Sequence, residues 1–107
     1  MIKASSAKAK GTRLEVAVTA MLNDVPGVTA RRQPGSGIYS AFPHDVEAVI
    51  NGKRYIIECK QRKEGFKQLN GWIGAADLLV LRVDRGEPYV YMTMNAFQSI
   101  VGEQDDE

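Results

Sequence analysis

The chain has 107 residues, of which 44% are hydrophobic and 25% charged, and its formal net charge is +1. This size and composition predict one globular domain. The single cysteine, Cys59, excludes an intrachain disulfide and a zinc site built from cysteines alone. No apolar run approaches the roughly 18 residues of a membrane-spanning helix. We therefore expect a cytoplasmic protein in a reducing, intracellular setting.

The two ends of the chain differ in charge. Residues 1–13 hold four basic residues and no acid, whereas residues 103–107 hold four acids and no base. We expect a flexible basic arm over residues 1–10, a domain over residues 11–102 and an acidic tail over residues 103–107. Without the tail, 14 basic residues stand against nine acidic ones. Such a surface is compatible with a polyanionic partner, although many basic surfaces are only solvated.

Apolar residues at helical spacing predict a first helix from Gly11 to about Asn23. Thr12 is a candidate N-cap, and Glu15 follows at the spacing of a capping box. Residues 28–33 read as a short strand. The Pro-Gly-Ser-Gly run at residues 34–37 predicts a turn or loop, which continues to residue 43.

Asn51-Gly52 lies between two β-prone runs, residues 45–50 and 53–60, and predicts a hairpin with a type I′ turn. Residues 64–73 read as a short helix that ends at glycines. Residues 77–83 are mostly apolar over the length of a strand, which is typical of a buried strand. A further strand at 88–93 and a helix at 95–101, capped by Asn95, complete the chain. The order α-β-β-β-α-β-β-α predicts a single α/β domain with a central sheet.

The hairpin register brings two carboxylates together. Continued outward from the turn, the pairing places Asp45 directly opposite Glu58, and Lys60 shares their face. Like charges in such positions repel, so something must offset them. A proton, the Lys60 ammonium, screening by water, or a magnesium or manganese ion bound by hard oxygen ligands would each do so.

Three segments resemble a known family. Asp45 followed by Glu58-Cys59-Lys60 matches the signature of the PD-(D/E)XK nuclease superfamily, an acid on one strand and Glu-x-Lys on the next. Lys10-Gly11-Thr12-Arg13-Leu14-Glu15 resembles the opening of the first helix in archaeal-type Holliday junction resolvases, including phage-encoded ones. Arg32-Gln33-Pro34-Gly35-Ser36-Gly37 resembles their arginine followed by a Gly-Ser-Gly loop. The resemblance extends over about residues 10 to 93.

The resemblance implies a restriction-endonuclease-like core with a central mixed β-sheet flanked by helices. It also implies a site in which Asp45, Glu58 and Glu15 bind Mg²⁺, for which Mn²⁺ can substitute, and in which Lys60 lies near the attacking water or the phosphate. The alternative for Glu15 is a capping role only, and for Lys60 a role as partner of the acids. The candidate DNA-binding residues, each of which could instead be a solvated or turn residue, are Arg31, Arg32, Gly35, Ser36, Arg62 and Lys63, with Lys67 extending the basic surface.

The function that follows is magnesium-dependent hydrolysis of phosphodiesters in four-way DNA junctions. Because such a junction has two scissile strands and the chain has one site, we expect a homodimer. Two alternatives remain open. One is a flap, nicking, restriction-type or virus-type replication-repair nuclease on the same core. The other is a non-catalytic DNA-binding module with the same fold.

Overall fold

The computed structural model describes residues 3–33 and 45–102, with side chains from Gly11 onwards. Gly35 and Ser36 of the predicted loop, and the predicted acidic tail, lie outside the described residues. The elements follow the predicted order: α1 (Lys3–Asn23), β1 (Val28–Arg32), β2 (Val46–Ile50), β3 (Lys53–Ile57), α2 (Lys67–Ile73), β4 (Leu79–Leu81), β5 (Tyr89–Tyr91) and α3 (Met94–Gly102).

Helix α1 begins eight residues earlier than predicted, at Lys3. Residues 3–10, expected to form a flexible arm, are helical because alanine and lysine, both strong helix formers, fill most of this stretch. They outweigh the roughly 0.5–1 kcal/mol that Gly11 costs inside a helix. Thr12 and Glu15 are therefore interior residues, and the predicted capping box is wrong. Neither α1, with its 21 residues, nor any other helix among the described residues has the length and apolar character needed to cross a membrane.

Strands β1, β2 and β3 form an antiparallel sheet in that order. The predicted hairpin between β2 and β3 is confirmed: Asn51 and Gly52 both have positive φ, 53° and 82°, as a type I′ turn requires. Ile50 pairs with Lys53 at the turn, and Val46 pairs with Ile57 at the far end. The register from which the position of Asp45 was predicted is thus present.

Strands β4 and β5 form a separate two-stranded antiparallel sheet. The structure confirms a small α/β domain but not the predicted central mixed sheet, since every strand pair in the described residues is antiparallel and the strands fall into two sheets. The prediction that residues 77–83 are buried is also wrong. Leu78 is 46% exposed, and Val80, which pairs with Val90, is 62% exposed. A two-stranded sheet has two faces, and here one of them carries apolar residues outward.

The core lies between α1 and the three-stranded sheet. Its buried members come from α1, the turn after it, β1 and β2, and they are Leu22, Val25, Val28, Ala30, Val46, Ala48 and Ile50. Burying a side chain the size of valine or leucine stabilises a fold by roughly 1.5–3 kcal/mol. Helix α3 packs Phe97 and Val101 against this core. Its N-cap is Thr93, whose Oγ1 accepts from the amide of Ala96 at 3.1 Å, so the predicted cap at Asn95 is wrong.

Candidate functional site

Asp45 stands at the end of the sheet where β2 begins. Its amide donates to the carbonyl of Ile57 at 3.2 Å, and its carbonyl accepts from the amide of Gln33 at 3.0 Å. Its carboxylate oxygen Oδ2 accepts from the amide of Cys59 at 2.8 Å. Backbone atoms from both neighbouring segments therefore hold Asp45, and its carboxylate has a defined position at the sheet end.

A cleft of about 430 Å³ opens beside Asp45. Glu15 reaches it from α1, and Lys60 reaches it from the segment after β3. Gly11 also lines it, and a Cβ built on Gly11 would meet no atom within 4 Å, so this side of the cleft is open. Two carboxylates and one ammonium group from three different parts of the chain thus meet at one concave surface.

Glu15 is held by an arginine on the neighbouring strand. Its Oε1 accepts from Arg32 Nε at 3.2 Å and from Arg32 Nη2 at 3.1 Å. The Glu15 side chain is 16% exposed and that of Arg32 is 43% exposed. The fold thus gives Glu15 a tertiary partner in place of the predicted cap, and it links two residues that the resemblance named separately.

Glu58 and Lys60 lie just beyond β3, which ends at Ile57 rather than continuing to residue 60 as predicted. Lys60 Nζ lies 3.2 Å from Glu58 Oε2, and the two side chains are 58% and 44% exposed. Glu58 is not among the residues that line the cleft. Of the four predicted catalytic residues, Glu15, Asp45 and Lys60 share the cleft, and Glu58 lies at its margin beside Lys60.

The pKa of the Cys59 thiol reflects the negative charge around the cleft. Burial, followed by the charges of Asp45, Glu15 and Glu58, raises the pKa of the Cys59 thiol to about 11. The Cys59 side chain also packs against the hydrophobic core. All three predicted metal ligands are therefore close enough to one side chain to act on it electrostatically.

A further acidic residue, Glu47, was not predicted from the sequence. It lies on the sheet face opposite α1, where its carboxylate accepts hydrogen bonds from Arg31, Gln33 and Arg54. The hydrogen bond from Arg54, followed by that from Gln33, holds the pKa of Glu47 below its ordinary value. Arg31, a predicted DNA-binding residue, therefore pairs with Glu47 and lies on the other side of the sheet from Glu15.

Three other predicted DNA-binding residues, Arg62, Lys63 and Lys67, line surface depressions. Arg62 and Lys63 line the cleft that holds Asp45, and they also line an adjoining cleft of about 850 Å³. Lys67 and Phe66 line the adjoining cleft as well. The two depressions share Arg62 and Lys63, and the larger one holds these two cations and Lys67 against one acid, Glu64, so its lining is basic on balance.

The donor set determines which metal the cleft could hold. Among the described residues, no three aspartate, glutamate, histidine or cysteine side chains are grouped as a ready metal site. Glu15 and Asp45 do line one cleft, and Mg²⁺ commonly binds through one or two carboxylates while it keeps several waters. These residues fit a magnesium ion held by two carboxylates and water, but not a closed cage of protein ligands.

Comparisons of this chain with protein-family models, with curated proteins and with solved structures find no match.

Proposed function

We propose that this chain is a magnesium-dependent endodeoxyribonuclease with a restriction-endonuclease-like core, and that its preferred substrate is a four-way DNA junction. The observation that carries the proposal is the meeting of Glu15, Asp45 and Lys60 at one cleft, which shares Arg62 and Lys63 with a neighbouring basic depression. Carboxylates, an ammonium group and flanking cations are the groups that phosphodiester hydrolysis requires.

Each residue has a role that follows from its position. Asp45 would be the primary ligand, because backbone hydrogen bonds hold its main chain and the Cys59 amide holds its carboxylate, so little ordering remains to be done on binding. Glu15 would be the second ligand, supplied by α1, and Glu58 would join from the margin. When bound, the metal supplies charge neutralisation at the scissile phosphate and a more acidic water.

Lys60 would stabilise the negative charge that develops during the reaction. It lines the cleft, and its ammonium group can donate three hydrogen bonds. An ammonium held near a phosphate stabilises the negative charge that grows in the transition state. Before metal binds, the pairing with Glu58 limits where Nζ can lie.

The basic surface gives the path for DNA. Arg62 and Lys63 stand between the carboxylates and the larger cleft, so a strand cut at Asp45 would pass over them. Cationic side chains bind phosphates without reading bases. Recognition would then depend on the shape of the branched backbone and would weaken steeply with salt.

Resolution of a four-way junction requires two cuts related by approximate two-fold symmetry. One chain provides one cleft, so a homodimer is part of the proposal. Recognition of branch shape by two clefts at a fixed spacing would distinguish a junction from linear DNA.

The proposal is tested by cleavage of a fluorescently labelled four-way junction in magnesium. Asp45→Asn is expected to lower the rate by about a hundredfold or more, because ligand loss at a metal site costs at least as much as loss of its supporting residues. Asp24→Asn is the matched control. It makes the same change at an exposed aspartate after α1 and should cut at the wild-type rate. An Asp45→Asn variant as fast as the wild type would contradict the proposal.

Selectivity is tested on a linear duplex and a flap of the same length. A clear excess of junction cleavage supports resolution of junctions, whereas equal rates on all three substrates indicate a general endonuclease on the same site.

A second candidate, a DNA-binding module without catalysis, is favoured by one observation. Glu15 and Glu58 are engaged by Arg32 and Lys60, and no three acidic or ligating side chains are grouped in the described residues. Junction binding without any cleavage in magnesium or manganese would support this candidate over the nuclease.

A further inference from the structure

Two ion pairs flank Asp45, and each joins a predicted metal ligand to a predicted phosphate-binding cation. Arg32 donates two hydrogen bonds to Glu15 Oε1, at 3.1 and 3.2 Å. Lys60 Nζ lies 3.2 Å from Glu58 Oε2. The two carboxylates and the two cations compensate each other's charge.

Arg32 and its neighbour Arg31 each pair with a different glutamate. The two arginines are adjacent on β1 and, because strand residues alternate, they face opposite sides of the sheet. Arg31 pairs with Glu47 on one side, and Arg32 pairs with Glu15 on the side of α1. The Glu15 carboxylate is mostly buried, so its pair is less screened by water than a pair on an open surface.

Binding of a metal ion would change the net charge around these two ion pairs. A divalent cation bound by Asp45 and Glu15, with Glu58 joining from the margin, would meet the positive groups of Arg32 and Lys60 close by, and like charges repel at short range. With Asp45 included, the three carboxylates and two cations sum to −1, and a divalent cation would bring this sum to +1. A phosphate backbone placed over the cleft would satisfy the displaced guanidinium and ammonium groups.

We propose that Arg32 and Lys60 exchange partners: they hold Glu15 and Glu58 while the metal is absent, and they turn to DNA phosphates when a divalent cation takes over the carboxylates. The inference rests on the proposed function and adds a form of regulation to it. Metal and DNA would strengthen each other's binding, and the coupling must be reciprocal because both ligands act on one equilibrium. Before DNA arrives, the two cations would keep metal affinity low.

The opposite arrangement is also physically possible. Arg32 contacts only Oε1, so it could hold Glu15 in place while Oε2 binds the metal. Loss of Arg32 would then weaken metal binding, because orienting residues of this kind support affinity. Partner exchange predicts the reverse, so the sign of one measurement separates the two arrangements.

The first experiment measures Mn²⁺ binding to the full chain without DNA, by the electron paramagnetic resonance signal of free Mn²⁺. Arg32→Gln is compared with Arg31→Gln, which removes the same charge from the adjacent residue without touching Glu15. Arg32→Gln is expected to bind Mn²⁺ about two- to fivefold more tightly than Arg31→Gln, the range that the loss of one competing ion pair gives. Equal or weaker binding by Arg32→Gln, or no Mn²⁺ binding by the wild type, would overturn the inference.

The second experiment measures junction binding in EDTA and in Ca²⁺, which supplies charge without supporting fast cleavage. The wild type and Arg54→Gln, which removes a guanidinium from Glu47 and leaves Glu15 untouched, should gain affinity in Ca²⁺. Arg32→Gln should lose most of that gain. An undiminished gain in Arg32→Gln would contradict partner exchange. If circular dichroism shows Arg32→Gln to be unfolded, Lys60→Gln replaces it in both experiments, with Lys53→Gln on β3 as its charge-matched control.

Failure of this inference and failure of the nuclease proposal give different results. If Asp45→Asn abolishes cleavage while Arg32→Gln and Arg31→Gln bind Mn²⁺ equally, the nuclease proposal stands and the exchange is refuted. If no DNA is cut, but Arg32→Gln binds Mn²⁺ more tightly and loses the Ca²⁺ gain, the exchange stands without catalysis.

Discussion

The backbone amide of Cys59 donates a 2.8 Å hydrogen bond to Asp45 Oδ2. This bond ties the segment after β3, which carries Glu58 and Lys60, to the start of β2. Asp45 therefore has a structural contact in addition to its proposed role as a ligand, and the two contributions can be separated by substitution.

Asp45→Asn should fold nearly as stably as the wild type, because an amide oxygen can still accept from Cys59. Asp45→Ala leaves that donor unpaired and should lose about 1–3 kcal/mol of unfolding free energy. Urea denaturation of both variants checks this. A large loss in Asp45→Asn would show that the carboxylate charge, and not hydrogen-bond acceptance, holds the segment.

The side chain of Asn23, at the end of α1, forms hydrogen bonds with the backbone of β1. Its Nδ2 donates to the carbonyl of Ala30 at 2.9 Å, and its Oδ1 accepts from the amide of Ala30 at 2.7 Å. Because Ala30 is buried, Asn23→Ala should cost about 1–3 kcal/mol in urea denaturation. Asn95→Ala is the control at an exposed asparagine and should change stability by less than about 0.5 kcal/mol.

Gly11 lies inside α1, and a Cβ at this position would meet no atom within 4 Å. Gly11→Ala should therefore raise the unfolding free energy by about 0.5–1 kcal/mol, because alanine loses less backbone freedom in a helix. Thermal unfolding measures the change. A lower melting temperature would mean that α1 does not continue through Gly11 and would restore the helix start predicted from the sequence.

Val80 tests the exposed face of the β4–β5 sheet. Val80→Thr should change stability by less than about 0.5 kcal/mol, since the residue is 62% exposed. Val46→Thr, the same change at a residue with 0% exposure, should cost about 1–3 kcal/mol because it buries a hydroxyl group. Equal losses in the two variants, measured by urea denaturation, would indicate that another surface covers Val80.

The raised pKa of Cys59, about 11, predicts a pH dependence of stability. The folded protein retains the thiol proton at pH values where an unfolded cysteine, with a pKa of about 8.5, has lost it. The stability gained is thus fully present below the unfolded pKa and is lost as pH rises through the folded pKa. Urea midpoints from pH 8 to 11 should fall more steeply for the wild type than for Cys59→Ser, which has no titrating thiol. Parallel curves would contradict the raised pKa.

The local features of the hairpin were determined by the sequence alone. Asn51-Gly52 accepts positive φ at both positions, so the turn and the register follow from two neighbouring residues. The element order followed from apolar periodicity in the same way. Both depend on interactions between residues close in the chain, which a sequence displays directly.

Only the tertiary structure decided how those elements meet. Arg32 pairs with Glu15 across 17 positions in sequence, and Thr12 and Glu15 are not caps because α1 continues toward the N-terminus. The division into two sheets likewise depends on packing between distant segments. The sequence of residues 77–83 shows that the segment is mostly apolar. It does not show whether another layer covers the strand, because burial depends on neighbouring elements that only the fold brings together.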